Sequence, residues 1–106
     1  MNWSRMLDEQ LRFAIANKRL IEVTYHGRQR IGEPHEYGLR RDTAALMMYQ
    51  VSASGVPKDK SNRGWRLLDI AKIEALRVLD ETFSENRGKS SSQLVLVNEM
   101  FTAARA

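Results

Sequence analysis

The sequence predicts a mainly β domain with flanking helices: an N-terminal helix, a small five-stranded barrel and a C-terminal helix. Three observations carry this expectation. Apolar spacing changes from helical to alternating after Arg19, five short strand-like runs follow between turn residues, and a chain of 106 residues needs its sheet edges hidden. A chain of this size supports one modest core, burying roughly 65% of its unfolded surface.

Trp3, Leu7, Leu11, Ala14 and Ile15 fall on one helical stripe, joined by Met6 from the neighbouring row. Asn2 or Ser4 is placed to cap the start of this helix. Asp8 and Arg12 stand at i, i+4, and Asn17, Lys18 and Arg19 give the basic C-terminal end that the helix dipole favours. From Leu20 to His26 the period becomes two, with Ile21, Val23 and Tyr25 alternating with Glu22, Thr24 and His26. Gly27 supplies a turn. Arg28 to Glu33 begins a second strand, and Gly32 to Leu39 reads as its irregular, bulged extension. Arg40 to Thr43 is a polar turn. Ala44 to Ala53 is apolar on both faces for much of its length and is expected to be the central strand.

Ser54 to Gly64, which carries Lys58, Lys60 and Arg63, reads as a long basic hairpin loop. Trp65 to Leu68 and Glu74 to Asp80 complete the strands, joined by a turn over Asp69 to Ile73. The domain therefore covers 1–83, with a polar linker over 84–92 and a helix over 93–106. That last segment is apolar on several sides. It either folds back on the barrel or packs against a second copy to make a homodimer.

Composition narrows the function. No cysteine is present, which excludes disulfide scaffolds, thiolate metal sites and cysteine nucleophiles. Two histidines without metal-ligand spacing predict no metal site. The longest apolar run, Ala44 to Tyr49, is six residues, too short for a membrane span, so a cytoplasmic protein without a membrane partner is expected. No phosphate-binding glycine loop or nucleophile elbow appears, no cofactor is implied, and no catalytic residue is assigned. Residues 1–66 hold twelve Lys and Arg against seven Asp and Glu, whereas residues 67–106 hold five against six. A basic half of this kind suits an anionic partner.

Four segments come in order, "LRFAIANKRLIEVTY", "RQRIGEPHEYGL", "ALMMYQVSASG" and "RGWRLLDIAKIEALRVLDETF", which together run from Leu11 to Phe83. In this order they resemble the WYL domain family, named for a Trp-Tyr-Leu motif. Met48-Tyr49-Gln50 stands where the naming motif would be, and Leu68-Asp69 where the family commonly has an Asp-Arg pair. About ten residues precede the matching helix, fewer than the family's usual helix-turn-helix module requires. The resemblance implies a helix and a five-stranded barrel like those of SH3 and Sm proteins. It also implies a non-enzymatic regulatory or sensor module of bacterial transcription factors and defence systems. Such a module is thought to bind single-stranded nucleic acid or a nucleotide-like ligand through a basic, aromatic-lined face. The alternative function is a protein–protein interaction domain that partners a separate transcription regulator.

The candidate ligand-binding residues are Arg28, Arg30, His35, Tyr37, Tyr49 and Arg66. Arg28 and Arg30 alternate, so they share a face; guanidinium forks grip phosphate, although two solvated arginines on an edge strand fit the same pattern. The family's basic strand position falls on Arg30. Arg66 points outward if Trp65 and Leu67 point inward, and then either joins an anion site or makes a surface ion pair. Tyr49 matches the aromatic of the naming motif, and Tyr37 adjoins the basic strand; both are placed to stack a base or to fill the core. His35 is expected as a hydrogen-bonding member of a ligand pocket.

Overall fold

The structure, a computed structural model, describes residues 5–55 and 62–84. The polar linker after Ser84, the helix expected over 93–106, and Lys58 and Lys60 lie outside the described residues. Helix α1 (Arg5–Ala16) leads into β1 (Arg19–Tyr25), β2 (Arg28–Arg40), β3 (Thr43–Ala53), β4 (Gly64–Asp69), a single 3-10 turn (Ile70–Lys72) and β5 (Ile73–Thr82). The strands form one antiparallel sheet in the order β4-β3-β2-β1-β5.

The helical spacing of Leu7, Leu11, Ala14 and Ile15 gives α1 one buried stripe. Met6, assigned to that stripe from sequence, is 69% exposed because it sits one row away. Asp8 accepts from Arg12 Nε at 3.0 Å, one turn along the helix, and from the Tyr37 hydroxyl at 2.7 Å, which ties α1 to β2. The helix ends where Lys18 adopts a φ of 52° and its N–H reaches back to the Ile15 carbonyl.

Two findings correct the sequence expectation. The middle strand is β2, not Ala44–Ala53, which forms β3 next to the β4 edge. The barrel is also not closed: among the described residues no ladder joins β4 to β5. The sheet instead curls far enough for β1 to reach the end of β4. Tyr25 at the end of β1 accepts a hydrogen bond through its hydroxyl from the Asp69 N–H at the end of β4, at 3.0 Å. The 3-10 turn, whose start is capped by Asp69 Oδ1 accepting from Ala71 N–H, then carries the chain across the gap.

The register fixes which side chains face the concave core. Ile21, Val23 and Tyr25 of β1 share it with Leu46 and Met48 of β3, Leu68 of β4, Ile70, Ile73 and the α1 stripe. Two irregularities bend the β2–β3 pair: Val51 has no cross-strand partner between Ile31↔Ser52 and Gly32↔Gln50, and His35 has none between Pro34↔Met48 and Glu36↔Met47. Gly32 is a glycine because a Cβ there would fall inside the Met48 side chain.

Two outcomes are expected in thermal denaturation. Tyr25→Phe removes the acceptor across the seam and costs about 1 kcal/mol, a fall of roughly 4–8 °C for a domain of this size. Gly32→Ala costs about 1–3 kcal/mol through overpacking, and the double variant with Met48→Val loses less than the two single changes together.

Candidate nucleic-acid interface

Arg28 and Arg30 lie opposite Tyr25 and Val23, so both project from the concave side of β2, where the core opens to solvent beside the β1–β2 turn. Arg66 is opposite Met48 and two residues from buried Leu68, which puts it on the same side. This corrects the outward direction expected for Arg66. The alternation of β4 is set by Leu68 facing the core, and Trp65 and Leu67 occupy the opposite face, half-buried. Nor is β2 an edge strand, so Arg28 and Arg30 stand in the middle of the sheet.

Gln50 fixes these arginines relative to one another. Its side chain, almost wholly buried, accepts from Arg30 Nη1 at 3.2 Å and donates through Nε2 to the Asn62 carbonyl at 2.6 Å. Arg66 Nη2 donates to the same carbonyl at 3.4 Å, and Arg66 Nη1 donates to the Trp65 carbonyl at 3.0 Å. The Arg30 guanidinium also lies 5.5 Å from the centroid of the Tyr25 ring, a cation–π distance, and Nη2 is 3.5 Å from the Tyr25 carbonyl. Its Nε is buried without an acceptor among the described residues. Burial holds the Arg30 guanidinium below its usual pKa, and the neighbouring charges of Arg28 and Arg66 push in the same direction. None of the three arginines makes an ion pair among the described residues. The group therefore brings three positive charges together with no ion-pair partner among the described residues, and one of them, Arg30, lies over the Tyr25 ring.

The other three candidates are not brought to this group. Tyr37 is buried in the core and spends its hydroxyl on Asp8. Tyr49 follows Met48 and precedes Gln50 in β3, so it projects from the opposite face, where its half-buried ring meets Trp65 edge-on at 5.5 Å. His35 lies on that face too. Its side chain and that of Glu33 are each 3% exposed, with Nε2 3.2 Å from Glu33 Oε1. The Trp65 and Phe83 rings flank the imidazole at 5.0 and 5.1 Å. These residues form a buried polar pair in an aromatic setting. Among the described residues no cluster of three metal-ligating side chains occurs.

Sequence reasoning missed Tyr25 and Gln50 as site residues. Tyr25 reads as one more apolar residue of a strand, and only the cross-strand register with Arg28 reveals it. Gln50 is a polar residue two positions from a core methionine on the same face. That is a legible signal of a buried hydrogen-bonding group once the bulge at Val51 is known.

The geometry separates two arginines that look alike in sequence. Arg28→Ala should leave stability within about 0.5 kcal/mol. Arg30→Ala should cost about 1 kcal/mol, because Gln50 Oε1 and the Tyr25 carbonyl lose a donor; urea denaturation of the two variants checks the difference.

Compared with known proteins, the chain matches no family model, no curated protein and no solved structure.

Proposed function

We propose that this chain is a WYL-type binding module, an SH3- or Sm-like roll behind a helix, that holds single-stranded nucleic acid or a nucleotide-like anion at Arg28, Arg30 and Arg66. The observation that carries this reading is that the Arg30 guanidinium, over the Tyr25 ring, has the charges of Arg28 and Arg66 close to it, with no carboxylate paired to any of the three among the described residues. Bringing like charges together disfavours the empty site, and a phosphate relieves that cost by accepting from the forks. Tyr25 contributes a ring beneath Arg30, and the Gln50–Asn62 tie keeps Arg30 and Arg66 in place without needing the ligand. Four ordered segments resembling the WYL family, and a helix that leads into a curled five-stranded sheet, support the same reading. On this reading the module works by binding and carries no catalytic group.

Fluorescence anisotropy with labelled single-stranded oligonucleotides over a salt series tests the proposal. Affinity should fall as salt rises, and Arg66→Ala should weaken binding and reduce the slope of log K against log salt by about 1. Competition by unlabelled mononucleotides separates a small ligand from a strand. Absence of binding to DNA, RNA and nucleotides at low salt would overturn the reading.

A further inference from the structure

A second feature lies at the seam where the curled sheet meets itself. An open pocket of about 290 Å³ is lined by Tyr25, Arg40, Arg41, Thr43, Ala45, Leu67 and Asp69. Its floor is built by register: Ala45 pairs with Asp69 and Met47 with Leu67, so Thr43, Ala45, Leu67 and Asp69 share one face of β3 and β4. Ala45 is small, which leaves the volume open, and Tyr25 closes it from across the seam. Two exposed guanidiniums stand on the rim. Neither Arg40 nor Arg41 makes an ion pair among the described residues, and the Asp69 carboxylate supplies an acceptor at the other side.

Arg41 and Asp42 form the two-residue β2–β3 turn with φ of 51° and 66°. This is the mirror-image hairpin turn that favours Asn-Gly, and side chains such as arginine are strained in it. The equivalent β1–β2 turn also has a non-glycine residue, His26 with φ of 52°, at the position of Arg41, and glycine at the position of Asp42. What distinguishes the Arg41-Asp42 turn is its place beside the pocket that Arg40 and Arg41 line.

We propose that the pocket at the seam, rimmed by Arg40 and Arg41 and bounded by Tyr25 and Asp69, is a binding site for a small phosphate ester that also carries hydroxyl donors, such as a sugar phosphate. The guanidiniums take the phosphate oxygens, Asp69 accepts from a hydroxyl, and Ala45, Leu67 and Tyr25 form the less polar floor. The volume suits a molecule of that size. This site is separate from the group at Arg28, Arg30 and Arg66, and it does not rest on the nucleic-acid reading.

The test is an NMR titration of the full chain with ribose 5-phosphate, ribose and inorganic phosphate in parallel. Ribose 5-phosphate should produce saturable shifts at the amides of Thr43, Ala45, Leu67 and Asp69, with higher affinity than either ribose or phosphate. Arg41→Asn should weaken binding by about tenfold while raising the melting temperature by a few degrees, because asparagine tolerates the positive φ. Arg40→Ala should weaken binding without raising stability, and Arg77→Ala, on the exposed side of β5, should leave it unchanged. Failure of the ester to shift these amides at millimolar concentration, or unchanged affinity in both Arg41→Asn and Arg40→Ala, would overturn the proposal. Tighter binding at these amides by a 5′-phosphorylated oligonucleotide would replace the small ligand with a strand end and overturn the assignment as well.

Discussion

The two irregularities in the β2–β3 pair decide which side chains of β3 and of the far half of β2 face the core. Side chains alternate along a strand, so one extra residue moves everything beyond it to the other face. Because Val51 is left out of the pairing, Gln50, Met48 and Leu46 face the concave side; regular pairing from Ala53 onward would have put Val51 and Tyr49 there. Because His35 is left out, Tyr37 enters the core beneath α1 and Glu36 does not. The same two positions bend β2 and β3, and Gly32 lets Met48 fill the inside of the bend. Curling then brings Tyr25 against Asp69. The pairing of β2 with β3 thus brings Gln50 and, through Met48, Arg66 to the side that the β1–β2 pairing gives Arg28 and Arg30.

Charge is distributed unevenly over this frame. The acidic residues Asp8, Glu22 and Asp80 are matched by Arg12, Arg77 and Arg19. The exposed pairs among these contribute little to stability, but their placement has an electrostatic consequence. They neutralise the helix and the β1–β5 side of the sheet, while Arg28, Arg30 and Arg66 keep their charge at the opening of the core. A concave, partly desolvated setting concentrates such a field far more than a flat surface does. Net charge alone, read from the sequence, gives the sign of the preferred partner but not this location.

How much was legible follows from which physical signals are local. The α1 stripe, the alternation of β1, the bulged extension of β2 and the polar turn at Arg41-Asp42 are properties of neighbouring residues, and they were readable. The order of strands was not, because both faces of β3 are largely covered and apolarity then no longer marks the middle of a sheet. Arg66 was misdirected for a related reason. Trp65 and Leu67 look like the inward pair, yet the core takes Leu68, and Trp65 packs on the other face with Tyr49 and His35. Arg28 and Arg30 were found together because a spacing of two is itself geometric information. Their joining to Arg66 through Gln50 and Asn62 spans a loop and could come only from the fold.

Tyr25 concentrates the consequences of this arrangement in one side chain. Its ring lies beneath Arg30, its hydroxyl accepts from Asp69 across the seam, and its edge lines the pocket beside Arg40 and Arg41. A group that binds in the pocket therefore touches the residue that supports the arginine group. Anything that shifts the ring also bears on the hydrogen bond that joins β1 to the end of β4. This is why a tyrosine suits the end of β1 where a phenylalanine would fill the same volume. The hydroxyl ties together two strands that, among the described residues, share no backbone ladder.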